Sequence, residues 1–140
     1  MNFVKSDNTP TISEFRKQLY ARFIGPLDAM WELLHIPSTQ ALLIKRDAQT
    51  IGYCCIDEEG YLLQIFLRDE DCHLMSKTIE ELIKSELTNG ARLSSIEPIS
   101  FNACLMHSTS TLENTSCFHH AGKSFNIESP LDLTLASEED

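Results

Sequence analysis

The sequence predicts an α/β fold, an α+β mixed sheet with helices on both faces. Three observations carry this. Apolar runs at residues 40–45, 50–56 and 61–67 are separated by the short polar connectors Arg46-Asp47-Ala48-Gln49 and Asp57-Glu58-Glu59-Gly60, so consecutive strands form an antiparallel meander. Two helical patterns precede the meander. A strongly amphipathic helix follows it, and a single right-handed crossover from there makes the sheet mixed.

Taken in order, residues 1–10 are polar and predict a loose arm or a short edge strand. The first helix spans residues 11–24, with Thr11 or Ser13 as cap and Ile12, Phe15, Leu19 and Phe23 at helical spacing. Gly25-Pro26 breaks it, and Pro26 suits the first turn of a second helix. That helix carries Leu27, Met30, Trp31, Leu33 and Leu34 and stops before Pro37.

After the three strands, residues 68–73 open the amphipathic helix. Leu74, Met75, Thr78, Ile79, Leu82, Ile83 and Leu87 line one face, opposite Lys77, Glu80, Glu81 and Lys84. Asn89-Gly90 supplies the left-handed stop. A strand at 92–96 ends at Pro98. A helix at 100–107 turns Phe101, Cys104 and Leu105 inward, and a last strand covers 114–119. The predicted order is helix, helix, three antiparallel strands, helix, strand, helix, strand, forming a domain over residues 1–122. Residues 123–130 read as a linker. Residues 131–135 alternate like a strand, and Ser137 with Glu138, Glu139 and Asp140 reads as a helix cap and first turn. Residues 131–140 are therefore expected to open a second domain.

At 140 residues the chain suits one compact domain. The net charge of −10 argues against nucleic-acid or anionic-membrane partners, which need a basic face. No run approaches a membrane span, and no apolar leader opens the chain. The five irregularly spaced cysteines fit reduced thiols of a cytoplasmic protein.

The element order resembles that of the GNAT superfamily of acyl-CoA-dependent N-acetyltransferases over roughly residues 11–119. Ile51-Gly52-Tyr53 is like the (I/V)-G-(Y/F) opening of that family's third strand, and residues 61–67 are like its cofactor-bearing strand. Residues 133–140 resemble the opening strand and helix cap of a further GNAT domain. The resemblance implies that acetyl-CoA or CoA lies where the strand splays from its neighbour. Pantetheine would pair with the backbone of Ile65, Phe66 and Leu67. The pyrophosphate would rest on a (Q/R)-x-x-G-x-(G/A) loop at the helix N-terminus.

Here Arg68 holds the first position of that loop, while Asp71 and His73 stand at its small-residue positions. Side chains there block close approach, and Asp69, Glu70 and Asp71 add negative charge. As acids in a helix's first turn, they also simply stabilise its dipole. The family's general acid, often a tyrosine, belongs on the helix at 100–107, which has none. Cys104 or His107 can move protons there, or else Cys104 is a core residue and His107 a surface one. Cys72-His73 has the ingredients of a lowered thiol pKa, opposed by the adjacent acids. Cys104, His107, Cys117, His119 and His120 are spaced Cys-x-x-His and Cys-x-His-His, without paired Cys-x-x-Cys, so no metal is expected.

The resulting expectation is a GNAT-like domain with a degenerate acyl-CoA loop. Its partner would be a catalytic second GNAT-like domain of the same chain, or a second copy. The alternatives are a working N-acetyltransferase and a small-molecule sensor.

Overall fold

The computed structural model describes residues 1–7 and 10–113. Strand β1 (Asn2–Lys5) leads to helix α1 (Pro10–Ala21), then β2 (Gln40–Arg46), β3 (Gln49–Ile56), β4 (Tyr61–Leu67), helix α2 (Met75–Lys84), β5 (Gly90–Ala91) and helix α3 (Pro98–His107). The sheet runs β1-β2-β3-β4-β5. Its first four strands are antiparallel and β5 lies parallel to β4, which is the expected mixed α/β architecture. The strand at 114–119, the linker at 123–130 and the opening at 131–140 lie outside the described residues.

The continuous apolar runs have a direct cause. The sheet is covered on both faces, so every residue from Ile51 to Ile56 and from Leu62 to Leu67 is buried. On one face α2 and α3 pack Met75, Ile79, Leu82 and Ala103 against Leu42, Ile44, Cys54 and Ile65. On the other α1 packs Ile12, Phe15 and Leu19 against Tyr53, Leu63 and Phe66. No helix among the described residues is long and apolar enough to cross a membrane.

Gly52 of β3 faces Leu67 of β4. A Cβ there would sit 2.0 Å from the Phe66 carbonyl oxygen, so the strand accepts no larger residue.

Five local expectations need correction. The second helix shrinks to a π-helical turn at Trp31–His35 and a 3-10 turn at Ile36–Ser38. Pro37 therefore lies inside the 3-10 turn instead of ending a helix. Residues Asp69–Leu74 form 3-10 turns, and α2 proper starts at Met75 with no acid in its first turn.

The left-handed stop is Glu86 (φ 55), not Asn89-Gly90. Its amide donates to Ile83 O and that of Leu87 to Leu82 O, the paired bonds of a Schellman ending. Ile83, expected on the apolar face, is exposed.

The expected strand at 92–96 is replaced by Gly90–Ala91, after which the chain leaves the sheet. Helix α3 then begins two residues earlier than expected. Pro98 takes its first turn and Glu97 its cap. Ser100 and Ala103 are its buried side chains and Cys104 packs inward as expected, while Leu105 is exposed.

Candidate functional site

Strand β4 pairs with β5 only at Tyr61↔Gly90 and Leu62↔Ala91. The Arg92 amide then donates to Leu62 O at 2.9 Å, and beyond this the two chains diverge. A bulge in β4 marks the same point. Cys55 faces Gln64 and Ile56 faces Leu62, which leaves Leu63 as the extra residue. Leu63 and Gln64 consequently both serve the α1 side. Leu63 packs in that core, and Gln64 Oε1 accepts the Tyr53 hydroxyl at 2.7 Å.

The divergence opens a cleft whose walls include Leu19, Trp31, Gln64, Ser94, Glu97 and Ser100. It encloses about 30 Å³, room for about one water molecule. Glu97 is buried, and its carboxylate is engaged by the start of α3. Oε2 accepts the Ser100 amide at 2.7 Å and the Ser100 hydroxyl at 2.5 Å, and Oε1 accepts the Ile99 amide at 3.3 Å. As it stands, this carboxylate caps a helix, with three of its roughly four acceptor positions filled.

The end of β4 carries two arginines. Arg68 folds back on its own loop, donating from Nε (2.9 Å) and Nη2 (2.6 Å) to Asp71 Oδ2, with Glu70 Oε1 3.4 Å from Nη1. Asp71 is buried, so the pair is largely shielded from water. Arg22, from the turn after α1, donates from Nη2 to Leu67 O at 2.8 Å and to Asp69 Oδ1 at 2.5 Å. Its guanidinium lies 4.4 Å from the Phe66 ring centre. The acids at 69–71 thus neutralise the two neighbouring cations. They do not cap α2, which replaces the helix-dipole expectation.

The other residues singled out in the sequence lie as follows. The side chains of Ile65, Phe66 and Leu67 are buried in the two cores. His73 is exposed. Cys72 Sγ lies 3.6 Å from Leu67 O, and burial pushes its thiol up, against the thiolate a nucleophile needs. Cys104 packs against the α2-side core, and burial pushes it up to about 11. His107 Nε2 is 2.8 Å from Ser76 Oγ on α2. Neither Cys104 nor His107 lines the cleft.

Sequence reasoning missed Arg22, Gln64 and Glu97. Glu97-Pro98 ahead of an apolar run was a readable cap signal. Arg22 and Asp69 are 47 residues apart and gave none.

A family model described as an acetyltransferase (GNAT) domain matches residues 8–121. Among curated proteins none matches. A solved structure, an acetyltransferase from the GNAT family of Colwellia psychrerythraea, superposes with a TM-score of 0.64 at 23% identity. The match covers 76% of this chain and 41% of that one.

Proposed function

The chain belongs to the GNAT acetyltransferase family, and on that premise we propose that its acyl-CoA loop is degenerate and that the domain serves a catalytic partner. The observation that carries this is the occupied pair of arginines. Arg68 is held by Asp71 and Glu70, and Arg22 by Asp69. A diphosphate brought to this junction finds no free cation in either side chain and meets three carboxylates in a row. Asp71 and His73 also fill the positions where a bare backbone would approach it. These residues do not fit the pyrophosphate of acetyl-CoA or CoA, so no step is assigned to the cofactor here.

In this reading the partner is a second GNAT-like domain of the same protein or a second copy, and the setting is cytoplasmic. Ile24, Met30, Leu33 and Leu34, all exposed between α1 and β2, give such packing an apolar face. Calorimetric titration with acetyl-CoA and CoA tests the proposal. Millimolar or weaker binding is expected, and micromolar binding would sink it.

One observation favours a second reading, a working N-acetyltransferase. The parting of β4 from the segment after β5 brings Gln64 and Glu97 to one cleft. Under that reading acetyl-CoA binds at micromolar concentration, and Arg68→Ala weakens it.

A further inference from the structure

A second cavity lies away from the cleft, between the end of β1, helix α1 and the start of β2. It measures about 390 Å³, within the range of small-molecule pockets. Arg16 and Asp7 both line it. Ile12, Ile36, Pro37 and Ala41 give it an apolar side, and Ser6, Thr39 and Gln40 add polar groups.

Arg16 is the unusual feature. Its Nε is buried without a hydrogen-bond partner. Among the described residues it makes no ion pair, unlike Arg22, Arg68 and Arg92. The polar groups facing it from the sheet and from its own helix are Tyr53, Cys55 and Tyr20. Burial pushes all three up, so they stay uncharged at neutral pH and supply no counter-ion. A guanidinium partly removed from water, hydrogen-bonded only to uncharged groups and lining an open cavity, gains when an anion completes it.

We propose that this cavity binds a small monocarboxylate, with its carboxylate on Arg16 and its hydrocarbon body against Ile12, Ile36, Pro37 and Ala41. A planar carboxylate matches the guanidinium edge. A phosphate dianion does not suit the site, because one cation faces it while Asp7 and a chain of net charge −10 repel it. The site is independent of the acyl-CoA loop, so it stands or falls separately from the degenerate-loop reading.

The test is a nuclear magnetic resonance titration of the full chain with sodium hexanoate, hexanamide and inorganic phosphate. Hexanoate is expected to give saturable shifts at the amides of Ser6, Ile36 and Ala41 and at Arg16 Nε–H. Hexanamide and phosphate leave these unshifted at the same concentration. Arg16→Gln weakens hexanoate by about tenfold or more, the worth of a charged hydrogen bond. Asp7→Asn binds it more tightly, because a like charge has gone.

The proposal is overturned by no saturable hexanoate shift, by equal shifts from hexanamide, or by weaker hexanoate binding in Asp7→Asn. The comparison of hexanoate with hexanamide needs no variant, so it decides the matter even where Arg16→Gln folds poorly. Undiminished binding by a folded Arg16→Gln chain would also overturn it.

Discussion

Gly52→Ala is expected to be among the most damaging single-methyl additions in this chain. The new Cβ lies 2.0 Å from Phe66 O, 2.9 Å from Leu67 Cδ2 and 3.0 Å from Leu67 Cα, whereas ordinary contact begins near 3.4 Å. The backbone oxygen must move by about 1.4 Å, since no flexible side chain can yield in its place. That movement parts β3 from β4 at the Gly52↔Leu67 and Tyr53↔Phe66 pairs, in the middle of a sheet covered on both faces. Losing two ladder hydrogen bonds there forfeits about 1 kcal/mol each, and the polar groups left buried cost about 1–3 kcal/mol more apiece. With one group stranded per bond the expected total is about 4–8 kcal/mol, against a whole-domain stability of about 5–15 kcal/mol. At about 4 kcal/mol the thermal midpoint falls by about 15 °C. Urea unfolding followed by circular dichroism measures it. Gly25→Ala is the control, because its Cβ would meet only Ile96 Cγ2 at 3.6 Å. A loss below about 1 kcal/mol for Gly52→Ala, within the range of an unremarkable surface change, would refute the reasoning.

Three further predictions concern other regions. Glu86→Gly is expected to stabilise the chain by about 0.5–1 kcal/mol, because Glu86 holds a left-handed conformation (φ 55) at the end of α2; a destabilised variant in urea melts would contradict this. Asp71→Asn leaves the shielded Arg68 guanidinium with only the more exposed Glu70 as partner and is expected to cost about 1–3 kcal/mol, whereas Glu80→Gln, in an exposed pair with Lys84, leaves stability almost unchanged. Similar losses from both would show that the junction pair is no better shielded than a surface one. Stability is also expected to fall with alkali. Burial raises the thiols of Cys54, Cys55 and Cys104 above their ordinary value of 9.0, Cys104 to about 11. Their contribution is intact below the unfolded value and is lost as pH rises from about 9 toward about 11, since the unfolded chain sheds its protons first. The slope is up to about 1.4 kcal/mol per pH unit for each thiol. Unfolding free energies that stay flat across this window would refute it.

The meander was legible because its signal is redundant. Long apolar runs, short polar connectors and Gly52 all point to strands packed on both faces. Helix α2 was legible through the spacing of Met75, Ile79 and Leu82, but its end was not. Asn89-Gly90 is the stronger local stop signal, yet the paired bonds at Glu86 and Leu87 close the helix earlier, and Gly90 is drawn into the sheet beside Tyr61. The residues at 92–96 read as a strand on composition alone, and nothing local records that β4 and β5 part after Ala91. At the candidate site, Arg68 and Asp71 lie three apart, so their pairing could be read from spacing. The contact of Arg22 with Leu67 O and Asp69 is created by folding, and no window of sequence contains both ends.

That contact has a consequence for motion. One guanidinium fastens the turn after α1, the last carbonyl of β4 and the first acid of the 3-10 segment. These pieces cannot loosen one at a time without stranding a half-buried charge. Hydrogen exchange at the end of α1 and across Asp69–Leu74 is therefore expected to follow a single opening event, with both segments slowing and quickening together. The pace at which this corner of the molecule breathes is set by how often one arginine lets go.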